Sequence, residues 1–396
     1  MKHRAISVLC AAALCAGLAA PAMAADAPKD TPEDDGVLDW EEVGPRIRAG
    51  SLNVQALGEN IQSIQAINYD SMLSSLRDDL NGLAEAEFLM YKLNNSAKAE
   101  SLHTTYDTLR DTFDAIRDGD MQEDNAAVER QLTNAIDQIA IAGETLYINL
   151  VSMESQRDSA LRGLETIDRS LSELRLRQRY GQVSAQTVAD LELTRAKTES
   201  QLATLENAIA TYTDQLQLLL GDEPTGELSL GGVPEVTAEE LMAVDVEADL
   251  LAAKERSYAL LDAKRTLDDA EEKWKDDKKD AIGSAYRLEM AKHTWNSAQI
   301  TYAAAVESFE GSFRKVCRAV SDDWQAAKSK EAAAVRAQQL LDVARSKYDR
   351  GLISRYALLD AEEALDSANS EWAAAKLTLF ADYRTYQNAV TYGILD

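Results

Sequence analysis

Chemistry in this chain must be built from its histidines, cysteines, carboxylates and hydroxyls, and the first two are scarce: three His and three Cys stand against 68 Asp and Glu. His103 and His293 are far apart, and neither belongs to a His-Glu-x-x-His spacing that sets two imidazoles on one helix face. Both read as exposed helix-surface residues. The sequence has no Gly-x-x-x-x-Gly-Lys phosphate loop, no nucleophile elbow and no paired-cysteine zinc motif. No enzyme, metal or cofactor is therefore expected. What does recur is a pair of spacings: Gly181 and Gly351 are each followed three residues on by serine (Ser184, Ser354) and nine on by aspartate (Asp190, Asp360).

The elements that carry those spacings are helices. The six prolines lie at Pro21, Pro28, Pro32, Pro45, Pro224 and Pro234. Because proline breaks helix interiors, the stretches from Arg46 to Leu220 and beyond Thr237 are free to be helical. Within them, Leu132, Ile136, Ile139, Gly143, Leu146, Leu150, Met153, Arg157, Ala160, Leu164, Ile167, Leu171 and Leu174 step alternately by three and four. Val188, Leu191, Arg195, Thr198, Leu202, Leu205, Ile209, Tyr212, Leu216 and Leu219 do the same. A sustained step of 3.5 is a coiled-coil seam. Arg157 and Arg195 occupy seam positions, where they can pair with acids on neighbouring helices. Trp274, Trp295, Trp324 and Trp372 read as aromatic knobs between helices.

Gly181-Gln182-Val183-Ser184 and Gly351-Leu352-Ile353-Ser354 read as the tight tips of two helical hairpins. Glycine closes a helix in the left-handed conformation and serine caps the next helix. Shifting the second seam by 170 positions gives Leu358, Ala361, Leu365, Ala368, Trp372, Ala375, Leu379, Asp382, Tyr386 and Ala389, still mostly apolar. The pattern is an internal duplication. The fold class is all-α: two repeats of long antiparallel helical hairpins with little or no β structure. The divisions are a first repeat over 46–220, a Gly/Pro linker over 221–237 with one short strand, and a second repeat over 238–396. Further turns are expected at Asp118-Gly119-Asp120 and over Lys275–Asp280 with Gly283.

Residues 1–24 have a basic start, an apolar run and Ala22-Met23-Ala24, the pattern of a secretory signal peptide. Residues 25–45 are acidic and proline-bearing and read as a flexible segment. Cys317 alone remains after processing and reads as a small buried hydrophobe. The formal net charge of −27 argues against nucleic acid and against anionic lipid as partners.

Arg179-Tyr180-Gly181-Gln182-Val183-Ser184 through Leu218-Leu219-Leu220-Gly221, and Tyr348-Asp349-Arg350-Gly351-Leu352-Ile353-Ser354 through Leu358-Leu359-Asp360-Ala361, resemble the outer membrane efflux protein (TolC-like) family. Glu247–Lys254 is similar to the helix that opens that family's second repeat. The resemblance implies a homotrimer whose hairpins form a helical tunnel in the cell envelope, ordinarily at the outer membrane. It implies that both tips dock an adaptor (membrane-fusion) protein and that an inner-membrane transporter, ABC or other, loads the solute. Asp360 matches one of the family's two aperture acids, with Asp190 as its first-repeat counterpart, and Ala357 stands where the other acid would be. The family's barrel strands are not legible: Lys92–Asn125 has helical spacing, and Trp274–Glu289 is short and charged. A second reading from the residues alone is a secreted coiled-coil scaffold of the cell wall without a transport role.

Overall fold

A computed structural model describes residues 36–279 and 285–395. The signal peptide expected at 1–24, the start of the acidic segment and the end of the turn expected over Lys275–Asp280 with Gly283 lie outside them. The described chain is mainly helical, with two short strands. In order they are β1 (Val37–Leu38), α1 (Trp40–Gly50), α2 (Leu52–Gln65), α3 (Tyr69–Lys92), α4 (Ser96–Asp118), α5 (Asp120–Arg179), α6 (Ala185–Leu220), β2 (Ser229–Leu230), α7 (Ala238–Met242), α8 (Val246–Arg256), α9 (Tyr258–Lys279), α10 (Ala285–Asp349) and α11 (Arg355–Tyr392). At 1.5 Å per residue, the 60-residue α5 and the 65-residue α10 are each about 90–100 Å long. Contacts divide the chain into two compact units, one of Asn53–Ile136 and one of the remaining described residues.

In the larger unit the seams fold as hairpins. The α11 series from Leu358 to Ala389 is protected from solvent at every position. On α10, Phe313, Val320, Ala327, Ala334 and Leu341 are buried at strict intervals of seven, the period that winds two helices into a left-handed supercoil. The α6 series departs from its expected register near the end of the helix. Tyr212 is exposed and Thr213 is buried in its place. Ile209, Thr213, Leu216 and Leu220 follow the broader 3.6-residue period, because here α6 packs against α1 as well as α5.

The acidic segment is not flexible throughout, which corrects the reading of residues 25–45. Val37–Leu38 pairs in parallel with Ser229–Leu230, and α1 begins at Trp40 with Pro45 inside it. A proline within a helix costs about 3 kcal/mol. Burying Leu38, Val43 and Ile47, each at most 1% exposed, returns about 1.5–3 kcal/mol apiece, so packing outweighs the lost hydrogen bond. The linker is held to the same core. Tyr147 is fully buried, its hydroxyl 3.0 Å from the Leu38 carbonyl and 2.8 Å from that of Gly232.

The duplication extends to the hairpin ends opposite the tips. Both 11-residue helices α1 and α8 end on a buried serine, Ser51 and Ser257, each 1% exposed and extended in backbone. Against each lies the left-handed glycine that closes a hairpin: Gly221 after α6 and Gly393 after α11. A Cβ on Gly221 would stand 2.2 Å from the Gly50 carbonyl oxygen, and one on Gly393 2.3 Å from the Ser257 nitrogen. Two cores grow from these joints. Leu38, Val43, Ile47, Tyr147, Leu150, Leu216 and Leu220 build one; Leu250, Phe313, Val320, Leu379, Tyr383 and Tyr386 are central to the other. Leu150 and Leu216 in the first correspond, 170 positions later, to Val320 and Tyr386 in the second.

The smaller unit contains an antiparallel pair, α3 and α4, that the second repeat lacks. There α9 leads to α10 through residues 280–284 alone, whereas α2 and α5 are separated by some fifty residues. Asn68 and Asn95 cap α3 and α4 by accepting the Ser71 and Lys98 backbone N–H, and Gly119 turns the chain into α5 at φ +95°. The expected Asp118–Asp120 turn is therefore present. Lys275–Lys279, expected to be a turn, instead continues α9. Pairs one turn apart, Lys275 with Glu271 and Lys279 with Asp276, favour helix there.

Candidate functional site

The two tips are the same structure made twice. Gly181 (φ +68°) donates its N–H to the Gln178 carbonyl at 2.9 Å, and Gln182 donates to Arg177 at 2.9 Å. Gly351 (φ +70°) donates to Tyr348 at 2.8 Å, and Leu352 to Lys347 at 2.9 Å. This 6→1 and 5→2-type closure needs a left-handed residue at the second-last position, which glycine supplies without a Cβ penalty. Ser184 Oγ then accepts the Thr187 N–H at 3.1 Å, and Ser354 Oγ that of Ala357 at 3.2 Å. Every partner in one tip lies 170 positions from its equivalent in the other. The correspondence continues into the stems: Arg175 pairs with Glu192 at 2.7 Å and Arg345 with Glu362 at 3.5 Å.

Gly181, Gln182 and Ser184 are exposed, as are Gly351, Leu352 and Ser354, while Val183 and Ile353 are half-buried. Val183 and Ile353 are thus partly covered, and the remaining tip residues face solvent. Tyr180 and Leu352 are 74% and 68% exposed, so each tip presents a large apolar side chain on a rigid turn. Asp190 accepts a hydrogen bond from Gln186 Nε2 at 2.7 Å, one helical turn earlier. Asp360 is exposed at the corresponding place on α11. The two aspartates belong to different hairpins and form no cluster with each other.

Local charge is a feature that the seam and turn patterns did not bring out. From Arg175 to Ala189 there are three arginines and no acid, and from Arg345 to Leu359 four basic residues and one aspartate. Arg175, Arg177 and Arg345 are engaged by Glu192, Glu173 and Glu362. Arg179, Lys347, Arg350 and Arg355 make no ion pair among the described residues. Both tips are therefore basic ends on an acidic chain, a signal that a running charge count would have exposed.

Of the two seam arginines, Arg195 pairs across its hairpin with Asp168, with contacts at 2.5 and 3.2 Å, and with Glu199 on its own helix. The guanidinium hydrogen bond holds the Asp168 carboxyl below the usual carboxylate range. Among the described residues Arg157 pairs only with its neighbour Asp158. The hairpins are also joined to each other: Arg169 reaches Glu363 at 3.2 Å and Arg162 reaches Ser370 at 2.9 Å. Those contacts set α5 beside α11, so the tips stand on neighbouring rather than separate supports.

Backbone comparison with solved structures decides the fold. The outer-membrane channel OprN matches with a TM-score of 0.57 at 14% identity, over 89% of this chain and 90% of that one. CusC, whose structures concern folding and transmembrane channel formation, matches at 0.53 and 13% identity, over 93% and 97%. A membrane protein from Pseudomonas aeruginosa gives 0.55 and 13%, over 94% and 96%. The fold is that of the TolC-like outer-membrane efflux channels. No protein-family model matches the sequence, and comparison with curated proteins finds no match.

Other residues singled out from the sequence occupy structural places. His103 and His293 are exposed, and His103 lies 3.3 Å from Glu87 and 3.6 Å from Asp107. Cys317 packs half-buried on the second-repeat core, where burial pushes its thiol up to about 11. Trp274 and Trp295 stack at 4.7 Å between α9 and α10. Trp324 and Trp372 lie beneath Lys328 and Lys376 of their own helices. Where the family resemblance implies barrel strands, the described residues of Lys92–Asn125 and Trp274–Glu289 are almost wholly helical. No helix of the described residues is long and apolar enough to cross a membrane.

Proposed function

We propose that this chain is an exported subunit of an efflux-type conduit in the cell envelope. It performs no chemistry; three copies enclose a helical tunnel, and solutes pass through it under the drive of a separate inner-membrane transporter. The duplicated tip carries this reading. Two rigid, solvent-facing turns with matching hydrogen bonds, on hairpins joined side by side, form a docking end that a trimer presents six times. Their basic character and exposed Tyr180 and Leu352 suit an adaptor whose own end is acidic and offers an apolar socket. Asp190 and Asp360, nine residues behind the turn glycines, are the acids that would line the narrow end of the tunnel.

The test is adaptor capture. Valine at Gly351 must adopt φ +70°, which a β-branched residue resists, so Gly351→Val should release the tip while leaving the stem helical. A pull-down with the adaptor is expected to lose most of its signal for Gly351→Val and to weaken as salt is raised. Unchanged capture would remove the tips from the docking account. Capture lost only when stem residues far from the tips are changed would point to a scaffold instead.

A further inference from the structure

The α3–α4 hairpin ends in an apolar collar that nothing in its own unit covers. Phe88, Leu89, Tyr91 and Leu93 are 61%, 52%, 56% and 64% exposed. The turn that presents them is well defined. Leu93 N–H donates to Leu89 at 3.0 Å, Asn94 adopts φ +59°, and Asn95 N–H returns to Met90 at 3.0 Å. These side chains therefore stand on a closed helix end and not on a frayed one.

Their distribution around the axis limits what can cover them. At about 100° per residue, positions 88, 89 and 91 point to different sides of α3, and Leu93 projects at its end. A partner helix or a second copy laid alongside would cover one face and leave the others wet. A medium entered end-on covers all of them. Charge points the same way: from Phe88 to Ala99 the chain has Lys92 and Lys98 and no acid, although the whole protein carries −27. Lys92 Nζ lies 4.6 Å over the Phe88 ring, an amphipathic arrangement in which the stem covers apolar surface and the ammonium stays at the polar boundary. The six residues from Phe88 to Leu93, the last of them the helix cap, span about 9 Å, close to the ~5–10 Å depth to which interfacial segments enter the headgroup and acyl boundary. Glu87 and Glu100 mark where the acid-free zone stops.

We propose that the α3–α4 tip is a membrane-interface anchor, dipping Phe88, Leu89, Tyr91 and Leu93 into a phospholipid surface while Lys92 and Lys98 meet headgroup phosphates. The anchor does not span, since six residues fall far short of the ~20 that a crossing helix needs. It rests on the hairpin alone and does not depend on the conduit reading.

The test uses the full mature chain with vesicles of phosphatidylethanolamine and phosphatidylglycerol in a flotation assay. Wild type should partition to the vesicles. Replacing Phe88, Leu89, Tyr91 and Leu93 together with serine should weaken partition on the order of tenfold or more, with thermal unfolding unchanged because the side chains are already exposed. Lys92→Glu with Lys98→Glu should weaken it further on anionic than on phosphatidylcholine vesicles. As a direct depth readout, a Leu93→Trp reporter should be quenched by lipids brominated on the acyl chain. Absence of partition by wild type, equal partition of the serine variant, or an unquenched reporter would each overturn the anchor. So would a serine variant whose only change is lost self-association, which would make the collar a contact between copies.

Discussion

The joints between hairpin ends and short helices should be far less tolerant of a methyl group than the tips, although all four positions are left-handed glycines. Gly351 has φ +70° and nothing within 4 Å of where a Cβ would stand. Gly351→Ala therefore pays only for the left-handed backbone, about 1–2 kcal/mol, partly offset by about 0.4–1 kcal/mol from a stiffer unfolded chain. A net loss near 1 kcal/mol is expected. Gly393 has φ +67°, but its Cβ would meet Ser257 N at 2.3 Å and Arg256 C at 2.5 Å. Both are backbone atoms that cannot rotate aside, so α8 or α11 must shift, adding about 1–3 kcal/mol of overpacking. Gly393→Ala should thus lose about 2–4 kcal/mol. The same contrast holds between Gly221, whose Cβ would stand 2.2 Å from Gly50 O, and the open Gly181. Urea unfolding followed by far-ultraviolet circular dichroism reads the difference as a larger fall in midpoint at unchanged slope. Equal midpoints for Gly393→Ala and Gly351→Ala would refute the interlocked joint.

Two further outcomes follow from buried polar groups. Asp323 on α10 is raised to about 6 by burial and by the facing Asp382 carboxyl on α11. The folded state consequently holds a proton that the unfolded chain releases above pH ~4; stability falls as pH rises through that window and the deficit is complete above the folded value. Asp323→Asn should raise the melting temperature at pH 8 by an amount worth at most ~1 kcal/mol after solvent screening and leave it nearly unchanged at pH 4; an equal shift at both would contradict the pairing. Tyr147→Phe removes the only side-chain partner that the Gly232 carbonyl has among the described residues and should cost about 1–3 kcal/mol, with faster amide exchange at Gly231, whose N–H bonds to Leu38. Unchanged exchange would mean the linker is held by β1 pairing alone.

The parts of this fold that were legible rest on local physics. A 3.5-residue seam and a left-handed glycine followed by a serine cap specify hairpins and tips from neighbouring residues alone, and repetition at 170 positions separated them from chance. The joints were not legible: that Gly50 meets Gly221, and Ser257 meets Gly393, depends on elements more than a hundred residues apart. Pro45 misled because its local penalty is smaller than the burial of Leu38, Val43 and Ile47, which no propensity rule records. Tyr212 and Thr213 exchange places because α6 serves a second neighbour near its end. The basic character of the tips was present in the sequence throughout, hidden by a strongly acidic total.

The conduit account is tested most directly by stoichiometry. Native mass spectrometry of the mature chain, released gently from detergent, is predicted to show a trimer that persists on dilution through the micromolar range. A monomer, or a dimer, with intact helical circular dichroism would contradict the account and favour a coiled-coil scaffold without a tunnel.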